Sequence, residues 1–168
     1  MLTFDMLVVS NTSPLSNLAI IARLDLLREQ LGTVTIPASV RTELDRLPNA
    51  EAKSSLERAI QAEWVRVVPL IGPVPADFAL NLDNGEAEAL ALALENKAAL
   101  VLLDESAARL KAHQLGIAFT GVLGILRQAR LAGRIPSLKA EILRLRTDAR
   151  FFVAPGLEKR LLNSVGEG

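Results

Sequence analysis

Apolar residues fall along this chain in two alternating rhythms. Short continuous runs at residues 6–9, 33–36, 64–68, 100–103 and, more weakly, 117–119 are bounded by turn residues and predict buried strands. Between them, apolar positions three or four apart predict helices. Ser13-Pro14 reads as a helix start, with Ser13 as N-cap and Pro14 at the first helical position. A helix or helix pair then runs to about Leu31, and Gly32 closes it. Val40, Leu44 and Leu47 mark a helix that carries Glu43, and residues 49–63 form a mostly polar one. Pro69, Pro73 and Pro75 mark a loop. Asp83-Asn84-Gly85 opens a strongly apolar helix to about Lys97; further helices follow Glu105, Gly121, Ser137 and Ala154.

Strands alternating with helices predict an α/β fold. The expected architecture is a three-layer parallel sheet of four or five strands, with helices on both faces and right-handed crossovers. No repeat or low-complexity linker divides the chain. The expectation is one domain over residues 1–168, with a core at 1–136 and a C-terminal helical appendage at 137–168.

Composition narrows the chemistry. Half of the 168 residues are hydrophobic, enough for a sizeable core. The absence of cysteine excludes a disulfide scaffold, a thiolate zinc site and a cysteine nucleophile. Only 4% of residues are aromatic, which argues against a base-stacking surface. The opening MLTFDMLVVS lacks the basic stretch of a signal peptide, and no apolar run is long enough to cross a bilayer. A cytoplasmic protein without membrane contact is therefore expected. Net charge is zero, against a generic polyanion binder, yet residues 1–105 hold 8 basic and 15 acidic side chains while 106–168 hold 11 and 4. An acidic part suited to cations thus adjoins a basic part suited to phosphates, although surface charge also segregates by chance. His113 is expected on an exposed helix face, and Trp64 in the core.

Ligands of open α/β sheets bind beyond the carboxyl ends of strands. There the chain places Asn11-Thr12-Ser13 and Asp104-Glu105, with Glu86 in the first turn of one helix and Glu43 on another. Each residue has an ordinary alternative. Glu86 is favourable near any helix N-terminus, Asp104 and Glu105 can cap a helix, and Asn11 can bond its own turn. Jointly they form an oxygen-only set suited to magnesium or manganese.

The ordered segments Val8-Val9-Ser10-Asn11-Thr12-Ser13-Pro14-Leu15, Ile36-Pro37 with Val40-Arg41-Thr42-Glu43-Leu44, Gly85-Glu86-Ala87-Glu88-Ala89-Leu90-Ala91-Leu92-Ala93 and Leu102-Leu103-Asp104 resemble the four motifs of PIN-domain proteins. Residues 120–126 with 133–136 are similar to a prokaryotic PIN-like subfamily with an Asn-Thr-Ser-Pro-Leu opening, and the better-known relatives are VapC-like toxins. The resemblance implies a metal-dependent ribonuclease, possibly the toxin of a toxin–antitoxin pair, with RNA as substrate, a small antitoxin as partner and Mg2+ or Mn2+ as cofactor. The implied metal ligands are Asn11, Glu43, Glu86 and Asp104, the last three catalytic. Thr12, Ser13, Glu88 and Glu105 support them. Apart from the resemblance, Arg109, Lys111, Arg127, Arg130 and Arg134 are candidates for a substrate-facing basic surface, and three of them read equally well as ordinary solvated helix residues. Asn11 departs from the aspartate usual in the family. It keeps an amide oxygen but supplies no charge.

Two other readings stay open: a weakened PIN-like module that binds RNA or protein, and a phosphoacceptor domain, which lacks the acidic pair it would need after the first strand. The apolar surplus of residues 87–94 and 123–131 further suggests a homodimer.

Overall fold

A computed structural model describes residues 6–168. The reading of the first five residues as lacking a leader falls outside them. Five short strands form one sheet: β1 (Val8–Ser10), β2 (Val34–Ile36), β3 (Val65–Val67), β4 (Leu100–Leu102) and β5 (Phe119–Thr120). They lie in the order β3-β2-β1-β4-β5, and every pairing is parallel. The connecting helices are α1 (Thr12–Ile20), α2 (Asp25–Leu31), α3 (Ala38–Asp45), α4 (Ala50–Gln61), α5 (Asn84–Glu95), α6 (Ser106–Gln114), α7 (Val122–Leu131), α8 (Leu138–Asp148) and α9 (Pro155–Ser164). The three-layer α/β architecture is the one the alternating pattern implies.

Strand side chains alternate faces, and two hydrophobic cores result. Val8, Val34, Ile36 and Leu102 point into one core with α1, α2, α4, α7 and α8. Val9, Val101 and Leu103 point into the other, with α5 and α6. Residues from α8 and α9, including Ile142, Leu145 and Leu162, belong to the first core.

Three local expectations need correction. Helix α1 starts at Thr12 with Asn11 as N-cap, not at Pro14. The Asn11 N–H still bonds Leu102 O (3.1 Å), so strand pairing continues to the helix junction; Pro14 is tolerated because first-turn N–H groups need no helical acceptor. The proline-rich loop contains a 3-10 turn, Ala76–Leu80, which brings Phe78 into the second core. The apolar surplus of α5 is absorbed within the molecule. Ala87, Ala89, Leu90, Ala91, Leu92 and Ala93 are all buried, and only Leu94 is substantially exposed. In α7, Val122, Ile125, Leu126 and Ala129 are buried and Leu131 is half exposed. The homodimer expectation thereby loses the surface on which it rested. His113 is exposed and Trp64 buried.

From β1 the chain moves outward through β2 and β3, then returns to the other side of β1 as β4. The boundary between β1 and β4 is thus the topological switch point, where diverging connections leave a crevice at the strand ends. Asn11 directly follows β1, and Asp104 lies two residues past β4.

Candidate functional site

Asn11 is buried, with its backbone held by Leu102 O, and its Oδ1 has no hydrogen-bond partner. Helix α3 brings Glu43 to the same place. Thr12 Oγ1 donates to Glu43 Oε2, and Glu43 Oε1 lies on the Gly85 side with Asn11 Oδ1. Both oxygens close on Gly85 at the start of α5. A Cβ there would lie 2.7 Å from Glu43 Oε1 and 3.1 Å from Asn11 Oδ1. The glycine is needed for space, since any side chain would fill the room between α5 and these two oxygens.

Asp104 is held from two sides. Val122 N, at the N-terminus of α7, donates to Oδ1 (2.8 Å), and Ser13 Oγ donates to Oδ2 (3.1 Å). Asn17 Nδ2 in turn donates to Ser13 Oγ (3.0 Å) and orients that hydroxyl. Burial pushes the Asp104 carboxyl up, against the lowering effect of the Val122 and Ser13 bonds and of the Arg109 charge.

Glu86 is also buried, at 5% exposure, but its carboxylate is turned to the end of α5. Asp83 N donates to Glu86 Oε2 (3.0 Å), and Glu86 N donates to Asp83 Oδ1 (2.8 Å), a reciprocal capping box. Burial raises the Glu86 carboxyl, and the negative charges of Asp83, Glu105 and Glu43 raise it further. Glu43, Glu86 and Glu105 therefore share one electrostatic neighbourhood. Glu88 is turned to α3, where Ser39 N points to its Oε1 at 3.4 Å. Glu105 is exposed and caps α6 without a side-chain bond.

Asn11, Thr12, Ser13, Glu43 and Asp104 are thus brought together, with Glu86 and Glu105 at the margin. The basic residues are dispersed. Arg109 Nε donates to Leu103 O (2.8 Å), and its guanidinium lies 5.4 Å from the Phe119 ring centroid. Lys111 pairs with Asp77 at 2.7 Å. Arg127 donates to Ser164, and Arg130 pairs with Glu167. Arg134 is exposed and makes no ion pair among the described residues.

Sequence reasoning missed Asn17, Asp83, Gly85, Gly121 and Val122. A signal existed for Asp83, because aspartate three residues before glutamate at a helix start spells a capping box. None existed for Val122, whose role comes from its backbone.

Among the described residues no three His, Cys, Asp or Glu side chains stand close enough to form a metal-binding group. The cause is visible in two positions: Asn11 supplies an amide, and Glu86 faces its own helix cap. The donors fit a hard cation in another respect. Asn11 Oδ1 is a buried acceptor without a donor, it lies with Glu43 Oε1 beside Gly85, and the neighbouring carboxylates repel one another.

A doubly wound parallel sheet with oxygen donors at its switch point defines an α/β protein of the kind that binds ligands beyond its strand ends. The chain belongs to the PIN-domain family: the family model DUF3368, a PIN domain, matches residues 7–167. PIN domains are generally nucleases and typically depend on divalent metal. No curated protein sequence matches the chain significantly. No helix among the described residues is long and apolar enough to cross a membrane.

Proposed function

We propose that this chain is a cytoplasmic endoribonuclease that cuts single-stranded RNA and uses Mg2+ or Mn2+ held by Asn11, Glu43, Glu86 and Asp104. The observation that carries the reading is the buried Asn11 Oδ1, left without a donor and lying with Glu43 Oε1 beside Gly85. A buried acceptor without a partner costs roughly 1–3 kcal/mol, which a cation would offset. When bound, such an ion activates water and stabilises charge on the phosphoryl group. The chain's own residues prepare the site. Thr12 fixes Glu43, and Ser13, set by Asn17, fixes Asp104 together with the Val122 amide. Glu86 must leave its capping box to join them, at a cost of about 1 kcal/mol.

The test is cleavage of a single-stranded RNA with Mn2+ or Mg2+. Cleavage should stop with chelator and be lost in Glu43→Gln and Asp104→Asn. Cleavage that survives both chelation and substitution would overturn the proposal. A second reading, an RNA- or protein-binding module with a weakened centre, is favoured by the neutral Asn11 and the capped Glu86. It predicts RNA binding without cleavage and no heat on Mn2+ titration. A toxin role with a small antitoxin partner is supported only by the resemblance to VapC-like proteins. A neighbouring short gene whose product blocks cleavage would test it.

A further inference from the structure

The last rung of the β4–β5 ladder is exchanged. Val101 N bonds Ala118 O (2.9 Å), and Leu103 N bonds Thr120 O (2.8 Å), as in any parallel pair. The next rung would join Val122 N to Leu103 O. Instead Val122 N goes to Asp104 Oδ1, and Arg109 Nε occupies Leu103 O, both at 2.8 Å. Two charge-assisted bonds thus replace one neutral bond. The Arg109 guanidinium is braced by the Phe119 ring and passes beside Gly121. A Cβ on Gly121 would collide with Arg109 Nη2 and Asp104 Oδ1 and lie 2.8 Å from Leu103 O. The Gly121 φ of −138° suits any residue, so space alone demands glycine there.

We propose that Arg109 is a positioning residue: by occupying Leu103 O it keeps the Val122 N–H free to hold Asp104 at the crevice. Without Arg109, the Leu103 carbonyl recovers the Val122 N–H as its ordinary ladder partner, and Asp104 loses the bond that orients it. This role needs no contact between Arg109 and RNA. Its consequence for metal rests on the proposed function, but the exchange of hydrogen bonds does not.

Through-hydrogen-bond NMR couplings in the metal-free protein, followed by Mn2+ titration, test both parts. In the native chain Val122 15N should couple to the Asp104 side-chain carboxyl carbon and not to the Leu103 carbonyl carbon. In Arg109→Met the coupling should move to Leu103, and Mn2+ affinity should fall about tenfold or more, as when an orienting partner of a metal ligand is removed. Arg109→Lys, which keeps a cationic donor, should retain part of both. Arg109→Leu, which also removes the donor, serves as the deciding variant if Arg109→Met does not fold. Val122 still coupled to Asp104 in Arg109→Met, or in Arg109→Leu where that is the deciding variant, would overturn the proposal. A coupling that moves as expected in a protein that binds no Mn2+ would support the positioning role and reject the metal reading.

Discussion

At Asn11 an amide stands where the resemblance implies a carboxylate, and one buried atom gives opposite expectations with and without metal. A unit charge added about 4 Å from a divalent cation contributes on the order of 4 kcal/mol per cation charge at an effective dielectric of 20, before desolvation is subtracted. Asn11→Asp should therefore tighten Mn2+ binding at least tenfold by calorimetry. In chelator the same carboxylate is buried beside Glu43 without a cation, so the melting temperature should fall below that of the native chain. Equal or weaker Mn2+ binding by the variant would sink this argument. A second consequence concerns pH. Burial, first among the causes, raises Glu86 and Asp104, so the folded state holds these protons more readily than the unfolded chain. Such groups favour folding at low pH and lose that contribution as pH rises from the ordinary carboxylate range through the raised values. Asp77 and Glu158, lowered by their bonds to Lys111 and Arg146, act the other way and weaken the fold as pH falls. In chelator, Glu86→Gln should gain stability relative to the native chain as pH rises through the acidic range, then stay level. Denaturation across a pH series checks the sign, and a relative gain toward low pH would contradict it.

At the scale of elements, α5 has two duties: its interior fills the second core, and its first turn borders the crevice. Gly85→Ala should separate them. The added Cβ presses on Glu43 Oε1 and Asn11 Oδ1, so Mn2+ affinity should drop sharply while the helix, if anything, gains propensity. Retained affinity would show that the two oxygens do not act together. Much of this layout was legible in the sequence. The apolar runs ended by Gly, Pro or polar triplets marked all five strands, and the polar residues at their ends marked Asn11 and Asp104. Most of the rest was hidden for physical reasons. Ser13-Pro14 looked like a helix start because local capping rules cannot register the Asn11–Leu102 backbone bond that sets the junction. The apolar surplus of α5 looked like a dimer face because a pattern records which residues are apolar, not what covers them. The capping contact of Glu86 was legible from Asp83 three residues earlier and went unread, whereas the Val122–Asp104 bond depends on tertiary register, which no spacing rule encodes.

Over the whole molecule, part of the segregated charge is spent on internal ties. In the basic C-terminal part, Lys111, Arg130, Arg144 and Arg146 pair with Asp77, Glu167, Glu141 and Glu158. Glu141 is buried and also holds Arg23, which fastens α8 to the turn after α1. The other seven basic residues of this part, Arg134 among them, make no ion pair among the described residues, and a salt-dependent RNA affinity is expected. Arg134→Ala should weaken binding equally across sequences and reduce the salt slope by about one if Arg134 meets a phosphate. An unchanged slope would remove it from the interface. The central claim is that the switch-point crevice holds a divalent cation, and anomalous diffraction from a crystal soaked in Mn2+ tests it most directly. The account predicts a peak about 2 Å from both Asn11 Oδ1 and Glu43 Oε1, with Glu86 swung from its cap. A soaked crystal with no anomalous peak in the crevice, or with manganese bound only elsewhere, would contradict it.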